Sequence, residues 1–330
     1  MKSQDLHEFF GVAAVLELSR LSGRAGKLVQ RLENDPNPVF YQAVRDRERP
    51  LKSVPAVALV AEYMMKECVE AGEVDDDGVY LMFLLTLFIW IIDEYVDLDL
   101  DPQIVTVVEL EAYMQRMMDA CKGLIAEQPD DVIINYIWSL SNALREYPAY
   151  DAFEAIYLES VQRMLHGMVQ EYRLRGDPAV NLDNYMEHAR ASIGSSVGLT
   201  AALIVLGDTT LEGRHRQIRV AYDIVSSILR YSNDMGTYER ELLEGNVTSL
   251  QLAAKKFGIP ADRFHYELAL VLQIVRALMQ SEVYDLKDCL CYIDSKGRLF
   301  ESVLVNAVLG VVKLYEQADF HTLGLDAPGA

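Results

Sequence analysis

The sequence predicts an all-α protein that forms one domain of ten or more helices. Pro and Gly are sparse, at 10 and 19 of 330 residues, and most segments between them are long and carry apolar residues at helical spacing. No segment alternates apolar and polar residues as a half-buried strand does, and no internal repeat is visible. The apolar share of 51% is enough for a large buried core.

Local start and stop signals place the helices along the chain. Ser53 and Pro55 mark one start, and three aspartates at 75–77 place negative charge at the start of the next helix, where the helix dipole favours it. Pro102 is expected to open another. Residues 1–10 and 321–330 are expected to be flexible ends of a single domain spanning 1–330. The expected helical ranges are 11–33 (one or two helices), 53–72, 75–97, 102–126, 130–146, 151–175, 182–206, 211–244, 247–257, 261–293 and 298–318.

The charge and the cysteine content restrict the partners and the compartment. A formal charge of −20 argues against binding to nucleic acid or to an anionic lipid surface. Four cysteines are too few for a disulfide scaffold, so reduced thiols in the cytoplasm are expected. The apolar run 80–92 is short for a membrane span and ends in acids, which indicates a buried helix. An anionic substrate would therefore need a bridging cation or a local cluster of Arg and Lys.

Two aspartates follow that apolar run. Asp93 and Asp97 are four positions apart, so on a helix they share one face. Two such carboxylates repel each other unless a cation lies between them, and hard oxygen ligands suit Mg²⁺. Trp90 and Ile89 lie three and four positions before Asp93 on the same face. The pattern indicates a metal site at the mouth of an apolar pocket, and the alternative is a solvated acidic helix end.

A second group of oxygen donors lies 140 positions later. Asn233, Thr237 and Glu241 are spaced four and four, so their side chains share one helical face. Amide, hydroxyl and carboxylate oxygens can together chelate a divalent ion. Arg240 is adjacent and can reach a phosphate carried by that ion. The alternative is the ordinary polar face of an amphipathic helix.

A third segment combines an arginine with a predicted helix break. Arg190 precedes Gly194 and further Gly and Ser residues, a composition that weakens or kinks a helix. A break frees backbone carbonyls that can face a ligand, and an Arg one turn earlier can bind phosphate. The alternative is a kink required for packing, with Arg190 on the surface.

Together these three segments resemble the class I terpene synthase (terpene cyclase) family of bacteria and fungi. Residues 93–97 are similar to the aspartate-rich DDxxD motif, with Glu94 in place of the second Asp. Residues 233–241 match the second metal motif, NDxx(S/T)xxxE, at every defined position, and residues 245–250 resemble the stretch that follows it. The resemblance extends over about residues 80–260, and the second metal motif is its most specific part.

The third segment is similar to the part of the family that senses the diphosphate. Glu171 and Tyr185 resemble residues upstream of the sensor, Arg190 resembles the sensing Arg, and Ile193 with Gly194 resembles the site of the effector carbonyl. In this interpretation the loss of Arg190 should impair turnover more than the loss of Arg175.

The resemblance implies a helical bundle of the class I terpenoid synthase type around a central apolar cavity. It also implies Mg²⁺-dependent ionisation of a prenyl diphosphate, followed by cyclisation of the carbocation and release of diphosphate. Three Mg²⁺ ions are expected, with Mn²⁺ as a substitute. The implied metal ligands are Asp93, Asp97, Asn233, Thr237 and Glu241.

The chain departs from the family near its C-terminus. The family has an Arg-Tyr pair there that grips the diphosphate, and residues 311–321 contain none. Lys313 or Tyr315 could substitute, or Arg230 could contribute from the second metal helix. The implied diphosphate-binding residues are Arg190, Asn233, Arg240, Lys313 and Tyr315.

Trp90, Arg190 and Gly194 are the implied catalytic residues, with Trp90 stabilising cations through its π face. The pocket candidates lie one or two turns from the metal ligands or just beyond the break, and each could instead be plain core. They are Phe83, Thr86, Ile89, Trp90, Ile193, Val197, Tyr222, Ser226 and Leu229.

Three other functions stay open from the sequence. A chain-elongating prenyl diphosphate synthase would carry a second aspartate-rich motif, and a squalene- or phytoene-synthase-like enzyme would carry DxxxD in the later helix. A non-catalytic helical scaffold would not respond to Mg²⁺ with pyrophosphate. A C20 substrate is favoured slightly over C15, because the departures mark an atypical member. The expected partner is a prenyl diphosphate, without nucleic acid or membrane span, for a cytoplasmic monomer or homodimer.

Overall fold

The structure, a computed structural model, describes residues 2–11, 23–45, 53–96, 106–125, 130–175, 177 and 179–317. These residues form helices and no strand, which confirms the all-α prediction. The helices are α1 (Ser3–Phe10), α2 (Gly23–Glu33), α3 (Pro38–Arg45), α4 (Val54–Met64), α5 (Lys66–Glu70), α6 (Asp76–Glu94), α7 (Val107–Cys121), α8 (Val132–Arg145), α9 (Tyr150–Leu174), α10 (Leu182–Ser192), α11 (Ser195–Leu206), α12 (His215–Glu244), α13 (Ser249–Lys256), α14 (Leu268–Leu290) and α15 (Leu299–Gln317).

Side-chain caps decide where two of the central helices begin. Asp75 caps α6, because its Oδ1 accepts the Gly78 N–H at 2.9 Å. Thr106 and Glu109 form a reciprocal capping box that starts α7 at Val107. The expected start at Pro102 lies outside the described residues.

Several expected helices are shorter than the pattern predicts, or are divided. The range 53–72 is split at Met65 into α4 and α5. The range 211–244 starts too early, because Leu211 ends a 3-10 turn, Thr209–Leu211, that Asp208 caps by accepting the Thr210 N–H, and α12 begins at His215. The range 261–293 likewise begins with a 3-10 turn, Ala261–Arg263, before α14. Apolar periodicity alone predicted these ranges as continuous helices, because it does not detect turns whose boundaries depend on local hydrogen bonds.

Helix α6 is the central element of the fold. Fifteen of its nineteen residues are buried, and it packs against α3, α4, α8 and α11. A helix that is apolar on every side is stable only when neighbours surround it. The Tyr136 hydroxyl of α8 donates to the Leu84 carbonyl at 2.7 Å and ties the two helices together. This burial fixes the position of Asp93, which lies near the C-terminal end of α6.

The predicted break in the range 182–206 is present. Gly194 has φ +71°, a left-handed conformation that separates α10 from α11. A Cβ at this position would lie 2.6 Å from a methyl carbon of Ile89 and 2.8 Å from the Met164 sulfur. Both the turn and the close contact with α6 therefore require glycine.

The same segment, Leu182–Leu206, is the one described stretch that is long and apolar enough to cross a membrane. Its most apolar window is 83% buried inside the protein, and the break at Gly194 interrupts it. These features argue, weakly, against a membrane span among the described residues.

The two chain ends differ from each other. Residues 1–10 are expected to be flexible, but residues 3–10 form α1, because Leu6 is buried and the helix packs against α15. Residues 321–330 lie outside the described residues.

The closest approach between α9 and α10 gives a test of the packing. A Cβ on Gly167 would lie 2.7 Å from the Ser192 amide nitrogen and 2.8 Å from the His188 carbonyl oxygen, and backbone atoms cannot move aside cheaply. We expect Gly167→Ala to reduce the free energy of unfolding by about 1–3 kcal/mol, measured by thermal or urea denaturation.

Gly26 provides the matched control, because its position within α2 has open space around it. Gly26→Ala should leave stability unchanged or raise it by about 0.5–1 kcal/mol. Equal effects of the two substitutions would contradict the described contact between α9 and α10.

Candidate active site

A cavity of about 70 Å³ lies where the C-terminal end of α6 meets α9, α10 and α12. Three acids and three arginines line it together with two amides, four aromatic side chains and six aliphatic or thioether side chains. The lining residues are Asp93, Glu171, Glu241, Arg175, Arg230, Arg240, Asn233, Asn246, Trp90, Tyr172, Tyr185, Tyr315, Ile89, Val96, Met168, Leu174, Ile193 and Val247.

The predicted second metal motif faces this cavity through Asn233 and Glu241. Thr237 is buried beside them, and its hydroxyl lies 2.5 Å from Glu241 Oε1 and 2.9 Å from the Asn233 carbonyl oxygen. The other carboxylate oxygen of Glu241, Oε2, is buried without a hydrogen-bond partner. Burial, and next the charge of Asp234, raise the pKa of Glu241 to about 8. A buried carboxylate with an unsatisfied oxygen beside an amide fits a divalent cation.

The first motif contributes Asp93, which is half-buried and lines the cavity. Glu94, its neighbour, is buried. Asp97 lies outside the described residues. Within the described ranges, no three His, Cys, Asp or Glu side chains form a metal cluster. Among the described residues the predicted donor set contains two carboxylates, Asp93 and Glu241, so the metal ligands stay a prediction.

Arg230 in the cavity wall pairs with two carboxylates and one hydroxyl. Its guanidinium lies 2.9 Å from Glu171 of α9 and 2.8 Å from Asp234 of α12, and its Nε donates to the Tyr185 hydroxyl of α10 at 2.8 Å. Asp234 also accepts the Ser249 amide N–H of α13 at 2.6 Å. Burial lowers the pKa of Arg230, but Asp234 and Glu171 outweigh it and raise that pKa well above its ordinary value.

Two further arginines line the cavity, and the predicted sensor does not. Arg175, at the end of α9, lies 5.0 Å above the ring of Tyr172, and Arg240 lies beside Glu241 on α12. Arg190 of α10 is not a lining residue, and its Nε is buried without a hydrogen-bond partner. Burial raises the pKa values of Tyr231 and of Glu282 on α14, and the charge of Arg190 partly offsets that rise. Among the described residues, Arg175 and not Arg190 therefore lines the cavity that the second predicted metal motif faces.

Of the two residues that could replace the C-terminal Arg-Tyr pair, Tyr315 of α15 lines the cavity and Lys313 does not. Gly194, an implied catalytic residue, is also not among the lining residues.

Three of the nine predicted pocket residues line the cavity, namely Ile89, Trp90 and Ile193. The other six lie outside the lining because they are occupied elsewhere in the packed interior. Phe83, Val197 and Leu229 are buried in the core. The remaining three are Thr86, which donates to the Met82 carbonyl at 2.8 Å, Tyr222, which packs on the ring of Phe300, and Ser226, which lies 2.6 Å from the Ser195 hydroxyl.

The lining residues that were not predicted from the sequence include Arg175, Tyr172, Met168 and Asn246. Asn246 lies within the 245–250 stretch that resembles the family, which is a usable signal. Tyr172 and Met168 are four positions apart on α9, so one face of that helix reaches the cavity, but no local pattern identifies which face.

Comparison with known proteins decides the family. A family model described as "Terpene synthase family 2, C-terminal metal binding" matches residues 85–263, which is more than half of the chain. The chain belongs to terpene synthase family 2. This terpene synthase is therefore an enzyme of the terpene synthase type, for which the family implies a divalent metal and a prenyl diphosphate substrate.

Solved structures show the same fold at low sequence identity. Linalool/nerolidol synthase from Streptomyces clavuligerus is 14% identical with a TM-score of 0.68, covering 92% of this chain and 99% of that one. Germacradien-4-ol synthase from Streptomyces citricolor is 14% identical with a TM-score of 0.66, covering 98% and 100%. Hedycaryol synthase is 12% identical with a TM-score of 0.65, covering 93% and 97%. A search of curated proteins found no match.

The raised pKa of Glu241 predicts a pH dependence of the metal-free terpene synthase. Its pKa of about 8 in the folded state lies above the unfolded value of 4.5. The folded state therefore holds an extra proton, and the stability from this proton is complete below about pH 4.5 and is lost as the pH rises through 8. We expect Glu241→Gln to make the melting temperature in EDTA less sensitive to pH between 5 and 8, by roughly 2–5 °C.

Glu239→Gln is the control, because Glu239 is exposed two positions away on the same helix. The same flattening in this variant would show that the effect comes from general charge and not from the buried carboxyl.

The position of the arginines predicts different effects on turnover. We expect Arg175→Ala to lower kcat/KM for the substrate by about 10–100-fold, because it removes a cation from the cavity wall. Arg190→Ala should lower it less than about threefold once the folded fraction is matched by circular dichroism. A larger loss in Arg190→Ala at equal stability would restore Arg190 as the main sensor.

Proposed function

We propose that this terpene synthase is a class I cyclase that ionises a prenyl diphosphate and cyclises the resulting carbocation. One observation carries the proposal. The carboxylate and amide donors of both predicted metal motifs, Asp93, Asn233 and Glu241, line one cavity together with three arginines. Asp97 completes the proposed ligand set, together with Thr237.

Mg²⁺ ions, three in the proposal and replaceable by Mn²⁺, would supply positive charge that stabilises the diphosphate as a leaving group. The residues of the chain have separate tasks. Asn233 and Glu241 would bind the metal ions at the polar end of the cavity. Arg175, Arg230 and Arg240 would add positive charge around the phosphate oxygens. The allylic C–O bond then breaks heterolytically, and its electron pair leaves with the diphosphate.

The apolar wall protects the cation that remains. Ile89, Ile193 and Met168 exclude water, which would otherwise capture the cation before a ring closes. The face of Trp90 can stabilise positive charge by about 0.5–2 kcal/mol. A double bond of the same chain attacks the cation, and the reaction ends by loss of a proton or by capture of water.

The size of the cavity bears on the substrate. At about 70 Å³ it is well below the roughly 300 Å³ at which ligand pockets usually begin, so side chains must move to admit any prenyl chain. The same holds for C15 and C20 chains, so we propose both diphosphates as substrates, in the order expected from the sequence. The proposed location is the cytoplasm.

Substitution of the metal ligands tests the proposed chemistry. We expect Asn233→Ala and Glu241→Ala to lower product formation by at least about a hundredfold, because each removes a donor from the metal site. Product is measured by mass spectrometry after incubation with Mg²⁺ and C10, C15 or C20 diphosphate. Glu239→Ala, which alters an exposed carboxylate on the same helix, should retain activity.

Two results would contradict the proposal. Normal turnover in Asn233→Ala or Glu241→Ala would remove the assigned metal site. Absence of any product from the three diphosphates, with no rise in melting temperature from Mg²⁺ and pyrophosphate, would favour a non-catalytic scaffold.

A further inference from the structure

The two carboxylates that pair with Arg230 are held in different ways. Asp234 is fully buried, and its oxygens also accept the Tyr185 hydroxyl at 3.0 Å and the Ser249 amide N–H at 2.6 Å. Glu171 lies 2.9 Å from the guanidinium, lines the cavity and has a side chain that is 22% exposed. Only Glu171 therefore pairs with Arg230 from the side of the cavity.

This difference decides which carboxylate can leave. Withdrawing Asp234 would strand a buried charge and a backbone N–H without partners, and such groups are costly to leave unpaired. Withdrawing Glu171 would return its carboxylate toward the cavity, while Asp234 still neutralises Arg230. The ion pair between Glu171 and Arg230 is thus easier to break than the ion pair between Asp234 and Arg230.

An anion that enters the cavity meets the same guanidinium. A diphosphate would compete with Glu171 for the guanidinium, because both are oxygen anions that accept the same N–H groups. The two anions also repel each other, since Glu171 and the diphosphate would lie on the same side of Arg230.

We propose that Glu171 is an internal counterion of Arg230 that a diphosphate displaces when it binds. The proposal rests on the proposed function, because it takes the diphosphate site as given. In it, Glu171 is a positioning residue that occupies the cavity-facing N–H groups of Arg230 until a ligand arrives, and its displacement frees those groups while Asp234 stays paired with the guanidinium. Tyr185 and Asp234 hold the guanidinium in place throughout.

The test is the affinity of Glu171→Gln for inorganic pyrophosphate, measured by isothermal titration calorimetry with Mg²⁺ and again in EDTA. Gln keeps the shape of the side chain but competes poorly for a guanidinium. We expect pyrophosphate to bind about tenfold more tightly than to the wild type with Mg²⁺, with a shift in the same direction in EDTA. Arg230 keeps Asp234 in this variant, so the fold should be retained.

Glu159→Gln is the matched control. It removes the same charge from the same helix, where Glu159 pairs with Arg219 and both side chains are about half exposed. Its affinity should stay within about twofold of the wild type, because exposed charges are screened by solvent. If Glu171→Gln is unstable, Glu171→Asp, whose shorter side chain weakens the pair, should show a smaller gain in affinity of the same sign.

Each other outcome overturns the proposal in a recognisable way. Weaker binding of pyrophosphate to Glu171→Gln with Mg²⁺ would make Glu171 a metal ligand. Unchanged binding would show that Glu171 does not compete, and equal tightening in Glu159→Gln would reduce the effect to net charge. If the wild type binds no pyrophosphate with Mg²⁺, the proposed function fails and this inference fails with it.

Discussion

The guanidinium of Arg230 lies between two carboxylates and connects four helices at the polar end of the cavity. Arg230 belongs to α12, and its partners come from α9 through Glu171, from α10 through Tyr185 and from α12 itself through Asp234. Asp234 adds α13 through the Ser249 amide. A buried ion pair is retained only when further hydrogen bonds satisfy its members. Because those bonds come from four helices, one charge cluster positions this part of the cavity wall.

The same end of the cavity holds a carboxyl that the protein alone leaves incompletely satisfied. Glu241 is buried, one of its oxygens has no hydrogen-bond partner, and its pKa is raised to about 8. A cation that binds there must displace a proton from Glu241 near neutral pH. At the proposed metal site, binding of a cation and release of this proton would therefore be linked.

The sequence predicted those features that depend on a short stretch of chain. The break at Gly194 followed from local Gly and Ser content, and the shared face of Asn233 and Glu241 followed from helical spacing. The side of α10 that faces the cavity did not follow, and so Arg190 was expected there, whereas the structure places Arg175 on the cavity wall. Which face of α9 or α10 is inward depends on how the helices cross, and no spacing within one helix encodes that angle.

The all-round burial of α6 also has a consequence for redirecting the product. Laboratory evolution that randomises this helix would mostly yield unfolded protein, because fifteen of its nineteen residues are buried. Met168 and Tyr172 touch the cavity from α9, a helix that also has a solvent face. Both side chains are themselves buried, at 3% and 8% exposed, so libraries restricted to residues of similar volume would alter the cavity lining there at the least cost in packing.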